Sequence, residues 1–362
     1  MSQLEKIRET INRVDSEIAE LFEQRLDAVR AVADYKREHG LRVEDVSREK
    51  ELIKRNCGHI KNKEYEPYYI GFQKSVIDIS KSYQHRLLDG MRVSFSGTRG
   101  AFADITARGI FPDAQLIGYK DFKAAYDSVV NGECDTVVLP LENSVGGDVG
   151  TVMDLCFFGP LFVNGIYETE IIQNLLAVKG TKISDIKTVI SHPQALSQCA
   201  EYIRERGFET IEAVNTAVAA KHISEENRND LAAIGSASAA EEFGLQILEK
   251  HINQSSSNTT RFAVFSRAPK APSEKDDRFI MMFTVKNAAG ALGKAISLIG
   301  EYGFNLRALK SRPTKELIWN YYFYAEGEGN INSKNGKAML LSLESCCSDV
   351  KLLGSFEKEI RI

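Results

Sequence analysis

The chain has 362 residues and six cysteines, Cys57, Cys134, Cys156, Cys199, Cys346 and Cys347, with no CxxC spacing and no neighbouring histidine pair. That argues against a structural zinc site and a disulfide framework, and fits reduced thiols in a cytoplasmic protein. An excess of basic charge is also missing. Forty-six Lys and Arg stand against fifty Asp and Glu, a formal charge of −4, so no global field exists to hold a nucleic acid. No apolar run approaches the roughly 18 residues that a membrane span needs. The opening MSQLEKIRETINRVDSE is charged from its fifth residue and lacks an apolar core, unlike a signal peptide. What is present is 43% hydrophobic residues in a chain long enough for two or three separate cores. The expectation is intracellular chemistry or binding directed at small molecules.

Three segments differ in periodicity. Over residues 1–88, Leu4, Ile7, Ile11, Val14, Ile18 and Leu21, then Ala28, Val32 and Tyr35, recur at steps of three and four, a heptad seam. No Pro or Gly interrupts it before Gly40. A helix of roughly 35 residues is about 50 Å long, too long for one small domain to cover, so a partner chain is expected along it. A second helix is expected from near Asp45, and a third carries Tyr69, Phe72, Val76, Ile79 and Tyr83. From Met91 to about Arg267, short β-rich runs (MRVSFSG, TVVLPLENS, TVISHPQ, LAAIGSAS) alternate with helical stretches, which predicts an α/β architecture with much parallel pairing. APKAPSEKDD reads as a linker, and residues 278–362 follow a βαββαβ order, the ferredoxin-like pattern.

The seam of the first helix breaks at Arg25, where a buried guanidinium costs several kcal/mol unless paired. It is either a register-setting polar residue, as buried Asn is in coiled coils, or a ligand contact. Lys36 lies about 20° round the helix and roughly 16 Å along it, so two cations converge on one anion, with Ala28 leaving room between them. Arg8 lies about 25 Å down the axis and about 100° off that face, within reach of the pocket only if an antiparallel partner supplies it. Asp45, Arg48 and Glu49 share one helical face, as do Ser80 and Gln84. Together they describe a small polar pocket inside a helical bundle.

With this spacing of Arg8, Arg25, Lys36, Asp45, Arg48, Glu49, Ser80 and Gln84, the segment resembles the all-helical chorismate mutases. The resemblance implies two intertwined chains forming two sites, each borrowing its neighbour's N-terminal arginine, and the pericyclic rearrangement of chorismate to prephenate without a cofactor or metal. Arg8 and Arg25 would clamp the substrate's carboxylates. Lys36 and Gln84 would donate to the ether oxygen as charge develops on it. Glu49 would hold the ring hydroxyl, Asp45 and Ser80 would complete the polar shell, and Arg48 would help orient the substrate.

In the middle segment, strands end in small polar residues that open helices: Glu142-Asn143-Ser144, Ser191-His192-Pro193-Gln194, Asn215-Thr216-Ala217 and Gly235-Ser236-Ala237. Each reads as an ordinary N-cap or as an anion-binding helix start. LPLENS, SHPQALSQC, AIGSASAAEEFGL and NTTRF (Asn258 to Phe262) resemble the prephenate dehydratases over residues 91–268. The resemblance implies two α/β lobes, similar to type 2 periplasmic binding proteins, with prephenate between them. It makes Thr260 the proton donor or orienting hydrogen bond to the departing ring hydroxyl, with Asn143, His192, Thr216 and Arg261 as substrate contacts. The turn Gly97-Thr98-Arg99-Gly100-Ala101-Phe102-Ala103 departs from relatives, which usually carry Pro and hydroxyl residues there.

Residues 278–362 resemble the ACT regulatory domain, with Gly290-Ala291-Leu292 and Ser311-Arg312-Pro313 matching its effector-binding motifs. Lys310 stands where relatives usually carry Glu. A lysine facing the effector's ammonium would weaken binding, so Lys310→Glu is expected to strengthen inhibition by phenylalanine. The order of segments (1–88, 91–268, 278–362) resembles the bifunctional chorismate mutase/prephenate dehydratases of phenylalanine biosynthesis. This implies a multidomain homodimer or larger homo-oligomer regulated by phenylalanine. Two alternatives stand beside it: a non-catalytic binder of small carboxylates, and the same architecture acting on arogenate.

Overall fold

The computed structural model describes residues 2–255, 257–314 and 321–362, in two compact units: residues 1–92 with 132–135, and residues 93–131 with 136–362.

The first unit is helical. Helix α1 (Gln3–His39) starts on a capping box in which Ser2 and Glu5 exchange hydrogen bonds, and stops at Gly40, whose φ of 64° suits a residue without Cβ. Lys36, Arg37 and His39 in its last turn complement the carbonyl end of the dipole. Helix α2 (Val46–Cys57) is capped by the Asp45 side chain, and α3 (Glu66–Asp89) has Pro67 in its first turn. Helix α3 packs on both others. The apolar stripe on the leading part of α1 is exposed: Leu4 is 54% and Leu21 62% exposed, and Ile7, Ile11, Val14 and Ile18 between them are exposed too.

The second unit contains three sheets. The first lobe holds β1 (Arg92–Ser96), α4 (Phe102–Ile110), β2 (Gln115–Tyr119), α5 (Phe122–Val130), β3 (Thr136–Asn143), β4 (Gly147–Asp148), α6 (Gly150–Phe158) and β5 (Phe162–Glu170). The second lobe holds β6 (Asn174–Ala177), β7 (Thr188–Ser191), α7 (Pro193–Gln198), α8 (Ala200–Arg206), β8 (Glu209–Glu212), α9 (Thr216–Glu226), β9 (Leu231–Gly235), α10 (Ala237–Glu242) and β10 (Gln246–Glu249). The chain then returns to the first lobe as β11 (Thr259–Ser266). After it come β12 (Arg278–Thr284), α11 (Ala291–Glu301), β13 (Asn305–Pro313), β14 (Tyr321–Glu328), α12 (Lys334–Leu343), β15 (Asp349–Phe356) and β16 (Ile360–Arg361).

The strand orders are β16-β5-β11-β3-β1-β2 with β4 beside β3, then β10-β6-β9-β7-β8, then β13-β14-β12-β15. The expected parallel pairing is present, but the lobes are mixed. β1–β3, β7–β8 and β7–β9 pair in parallel, whereas β11 runs antiparallel to both β3 and β5, and β6 antiparallel to β9 and β10. The cause is the double crossing between lobes: a strand that comes back enters the first sheet reversed. Adjacent residues of the second sheet feed different cores, Leu175 and Val189 on one face, Leu176 and Ile190 on the other, so both faces are covered.

The third sheet has the expected βαββαβ order; Trp319 and Asn320, at the start of the anticipated third strand, lie outside the described residues. Phe279, Met281 and Phe283 pack beneath α11 and α12. The alternate residues Ile280 and Met282 are equally buried, because the opposite face lies on the first lobe. There Tyr322 stacks on Phe157 with ring centroids 4.3 Å apart, and β15 crosses β5 so closely that Gly354 admits no Cβ against the Val163 carbonyl.

Candidate active sites

In the helical unit, a pocket of about 280 Å³ opens between the three helices. Arg25, Ala28 and Lys36 come from α1, Asp45, Arg48 and Glu49 from the start of α2, and Ser80, Lys81 and Gln84 from α3. Arg25 donates to the Ser80 hydroxyl and to the Val76 carbonyl (3.4 Å), and has no carboxylate partner among the described residues. Burial pushes its guanidinium below the ordinary value, so the cation is held half-desolvated and uncompensated. Lys36 Nζ donates to the Val43 carbonyl at 2.8 Å. The buried Gln84 donates to the Ser80 carbonyl, and its Oε1 has no partner among the described residues. Seven of the eight residues singled out in this segment thus meet around one cavity. Arg8 does not; it is exposed on the far part of α1. Sequence reasoning missed Lys81, which lines the pocket and holds Glu49 at 3.3 Å and Asp78 at 3.1 Å. Its spacing three residues before Gln84 was the available signal.

The second unit has a cleft of about 380 Å³ between its two lobes. Asn143, Thr260 and Phe262 come from the first sheet; His192, Gln194 and Gln198 from around α7; Asn215 and Thr216 from the start of α9. Phe102, Phe122, Pro140, Ile171 and Val214 supply apolar wall, while Lys120 and Asp121 carry the formal charges of the lining. The register sets Thr260 directly opposite Asn143. Asn143 Oδ1 accepts from the Val145 and Gly146 amides (3.1 and 2.7 Å) and from Gln194 Nε2 (3.3 Å), which fixes the side-chain amide. Its Nδ2 therefore donates to Thr260 Oγ1 at 2.9 Å and to Asn258 Oδ1 at 2.8 Å. Since Thr260 receives that bond, its own proton is available for a different acceptor.

His192 N-caps α7, its Nδ1 accepting from the Gln194 amide at 3.2 Å, which puts the neutral ring's proton on Nε2. Burial pushes the imidazole below its ordinary value, against a weaker pull from Glu212. An unfolded chain then takes up this proton near pH 6.5, before the folded one does, so acidification below about 6.5 costs stability and frees the capped amide. The dehydration rate is expected to fall on that acid limb and to show no His192-dependent change at higher pH. Comparing pH–rate profiles of the parent and His192→Gln checks this: the limb should flatten in the variant.

Several sequence expectations need correction. Arg261 does not face the cleft. Neighbouring strand residues point to opposite faces, so with Thr260 inside, Arg261 turns to the third sheet and binds Glu142, Glu326 and Glu359. Glu142-Asn143-Ser144 opens no helix; β3 ends there and the chain turns into β4. Arg312 is also engaged elsewhere, bonded to Asp154 of α6 at 3.0 and 3.3 Å from the face of β13 opposite Ser311. Lys310 shares that face and binds Glu142 at 3.0 Å and Asp148 at 2.5 Å, so it fastens the third sheet to the first lobe. Among residues missed, Gln173 is 2% exposed, lines the cleft and has an Oε1 with no partner among the described residues, while Gln194 and Gln198 stand one helical turn apart in the SHPQALSQC run.

Comparison with known proteins agrees with this geometry. A model of the family Chorismate mutase type II matches residues 7–85 and one of Prephenate dehydratase matches residues 93–270. A bifunctional chorismate mutase/prephenate dehydratase of Buchnera aphidicola subsp. Acyrthosiphon pisum is 29% identical over 97% of this chain and 96% of its own length. Arogenate dehydratase/prephenate dehydratase 1 of Arabidopsis thaliana is 31% identical over 75% of this chain and 73% of its own. The crystal structure of prephenate dehydratase from Arthrobacter aurescens in complex with L-Phe superposes with a TM-score of 0.69 at 26% identity, covering 74% of this chain and 90% of that one.

Fold and sites thus define an enzyme with two separate active domains, a helical isomerase followed by an α/β lyase. The chain belongs to the bifunctional chorismate mutase/prephenate dehydratase family. It converts chorismate to prephenate and prephenate to phenylpyruvate.

Proposed function

We propose that the helical pocket performs the first step by electrostatic preorganisation. Arg25, together with Arg8 of a second copy of the chain, clamps the two carboxylates of chorismate and selects the reactive conformer. Lys36 and Gln84 donate to the ether oxygen as its bond breaks. Glu49 holds the ring hydroxyl, while Asp45, Arg48 and Ser80 complete the shell. The exposed apolar stripe on the leading part of α1 is the surface that the second copy covers, which makes the protein a homodimer; we place it in the cytoplasm. No described helix is long and apolar enough to cross a membrane.

For the second step we assign prephenate to the interlobe cleft and Thr260 to the departing hydroxyl. The fixed Asn143 amide carries this assignment: by donating to Thr260 Oγ1 it leaves the threonine proton free for the leaving oxygen. The C–O bond breaks, the ring carboxylate leaves as carbon dioxide, and its bonding pair enters the ring, which becomes aromatic. The proton that leaves with water is replaced from solvent. A threonine hydroxyl is a weak acid, and the apolar walls strengthen its interaction with a developing hydroxide. His192 and Thr216 supply further donors around the substrate. Incubation with chorismate while following phenylpyruvate tests both steps together. Supplying arogenate instead tests the second reading, which the Arabidopsis relative's name motivates.

We further propose three domains, residues 1–88, 91–268 and 278–362. The last is an ACT domain that binds phenylalanine through Gly290, Ala291, Leu292, Ser311 and Pro313. Phenylalanine is expected to slow the dehydratase. Lys310→Glu would place a third carboxylate beside Glu142 and Asp148, loosening the contact that carries the signal and blunting inhibition by roughly fivefold, the low end of usual couplings. Titrating phenylalanine against the dehydratase rate of both proteins checks this. A flat response in each would leave the domain with dimerisation alone.

A further inference from the structure

Residues 357–362 leave the third sheet and return to the first lobe, where β16 adds a parallel strand to the edge of β5, pairing Ile360 with Tyr167 and Arg361 with Glu168. One rung of the sheet then runs Arg361, Glu168, Arg261, Glu142 across four strands, all on the face opposite Thr260. Glu359, two residues before Arg361, points to that same face. Its side chain is 5% exposed, with Arg261 at 2.9 Å, Arg307 at 2.6 Å and Arg278 at 4.0 Å. Arg261 is thereby held by carboxylates from three directions: Glu142 at 3.1 Å from its own sheet, Glu326 at 2.8 Å from β14, and Glu359 from the returning segment.

The place matters because the ladder between β11 and β3 becomes irregular between Arg261 and Phe262. β11 keeps regular pairing with β5 from Thr259 to Val264, so the irregularity falls on β3, where Leu141 is skipped next to the stretch that carries Asn143; the Arg261–Glu142 ion pair spans the two strands at that point. We propose that Glu359 is a positioning residue for the dehydratase site, acting through Arg261 to hold Thr260 opposite Asn143. This rests on the assignment of Thr260 to the leaving hydroxyl. It gives the segment after the third sheet a role in catalysis beyond fastening two domains.

The test uses the full chain and measures kcat and KM on supplied prephenate. Glu359→Gln keeps the shape and removes the charge; it should lower kcat about tenfold with KM changed less than twofold, since misplacement of a reacting group by about 1 Å costs about a hundredfold. Arg261→Gln should lower kcat at least as much, and the double variant should be no worse than Arg261→Gln, because both act on one path. Arg307→Gln removes a different Glu359 partner. It should lower the thermal midpoint yet leave kcat within twofold, which separates positioning from fastening. A Glu359→Gln enzyme within twofold of parental kcat, or additive losses in the double variant, would overturn the proposal. Thr260→Ala is measured in parallel: if it stays active, the site assignment itself fails, whereas an inactive Thr260→Ala beside a fully active Glu359→Gln removes only the positioning role.

Discussion

Thr260→Ala is expected to stop phenylpyruvate formation while chorismate continues to disappear, so that prephenate accumulates. The proposed sites assign the first reaction to side chains of α1, α2 and α3, and the second to a hydroxyl near the start of β11. Proton donation by a positioned group contributes roughly 10²- to 10⁴-fold, so the dehydratase rate should fall by about that factor. The fold should survive. Asn143 Nδ2 keeps Asn258 Oδ1 and the Thr259 carbonyl as acceptors after the hydroxyl is lost, and the net cost of one such bond is about 1 kcal/mol. Thr260→Ser restores a hydroxyl without the methyl group and should recover part of the rate. Following chorismate, prephenate and phenylpyruvate in one reaction mixture reads all three expectations; a fully active Thr260→Ala protein would remove the threonine from the mechanism.

How far the sequence reaches can be judged from these same residues. The lining of the helical pocket was legible nearly complete, because helical periodicity converts spacing into a face: Arg25 and Lys36 on one helix, and Ser80 with Gln84 on another, needed only the 3.6-residue turn to be placed. Lys81 escaped because it is one residue beyond Ser80, a step that normally leads off a helical face. In the cleft, strand residues such as Asn143 and Thr260 were found through motifs, and here the same physics worked against the motif. NTTRF points to Thr260 and Arg261 together, but strand alternation allows only one of them into the cleft. Gln173 lies in the crossing from β5 to β6, and its role depends on where two distant segments meet, which no local pattern encodes. Lys310 and Arg312 illustrate the same limit. Their place in an effector motif suggested a ligand on one face of β13, whereas the carboxylates of Glu142, Asp148 and Asp154, more than 150 residues earlier in the chain, claim them on the other.

Arg25→Ala and Arg8→Ala are each expected to lose nearly all mutase activity, and mixed dimers of the two are expected to regain it. Arg25 is the half-buried cation of the pocket, and removing a contact made chiefly in the transition state costs about 2 to 4 kcal/mol, or roughly 10²- to 10³-fold. Dehydratase activity on supplied prephenate should be unchanged in both variants. Arg8 cannot serve its own pocket on a straight helix, being about 25 Å along the axis from Arg25. The proposed antiparallel second copy would bring its Arg8 to the pocket while covering Leu4 through Leu21, whose half-exposed side chains would give the pairing its hydrophobic drive. In a heterodimer of the two variants, the symmetry of the pair sorts the defects. The pocket built by the Arg8→Ala chain keeps its own Arg25 and receives an intact Arg8 from the other copy, so it is whole. The opposite pocket carries both losses. Purified heterodimers, distinguished by two affinity tags, should therefore show roughly half of the parental mutase rate, and a statistical mixture of the two variants roughly a quarter, since half of its dimers are mixed. Verified heterodimers that remain as inactive as the single variants would place Arg8 outside the mutase site.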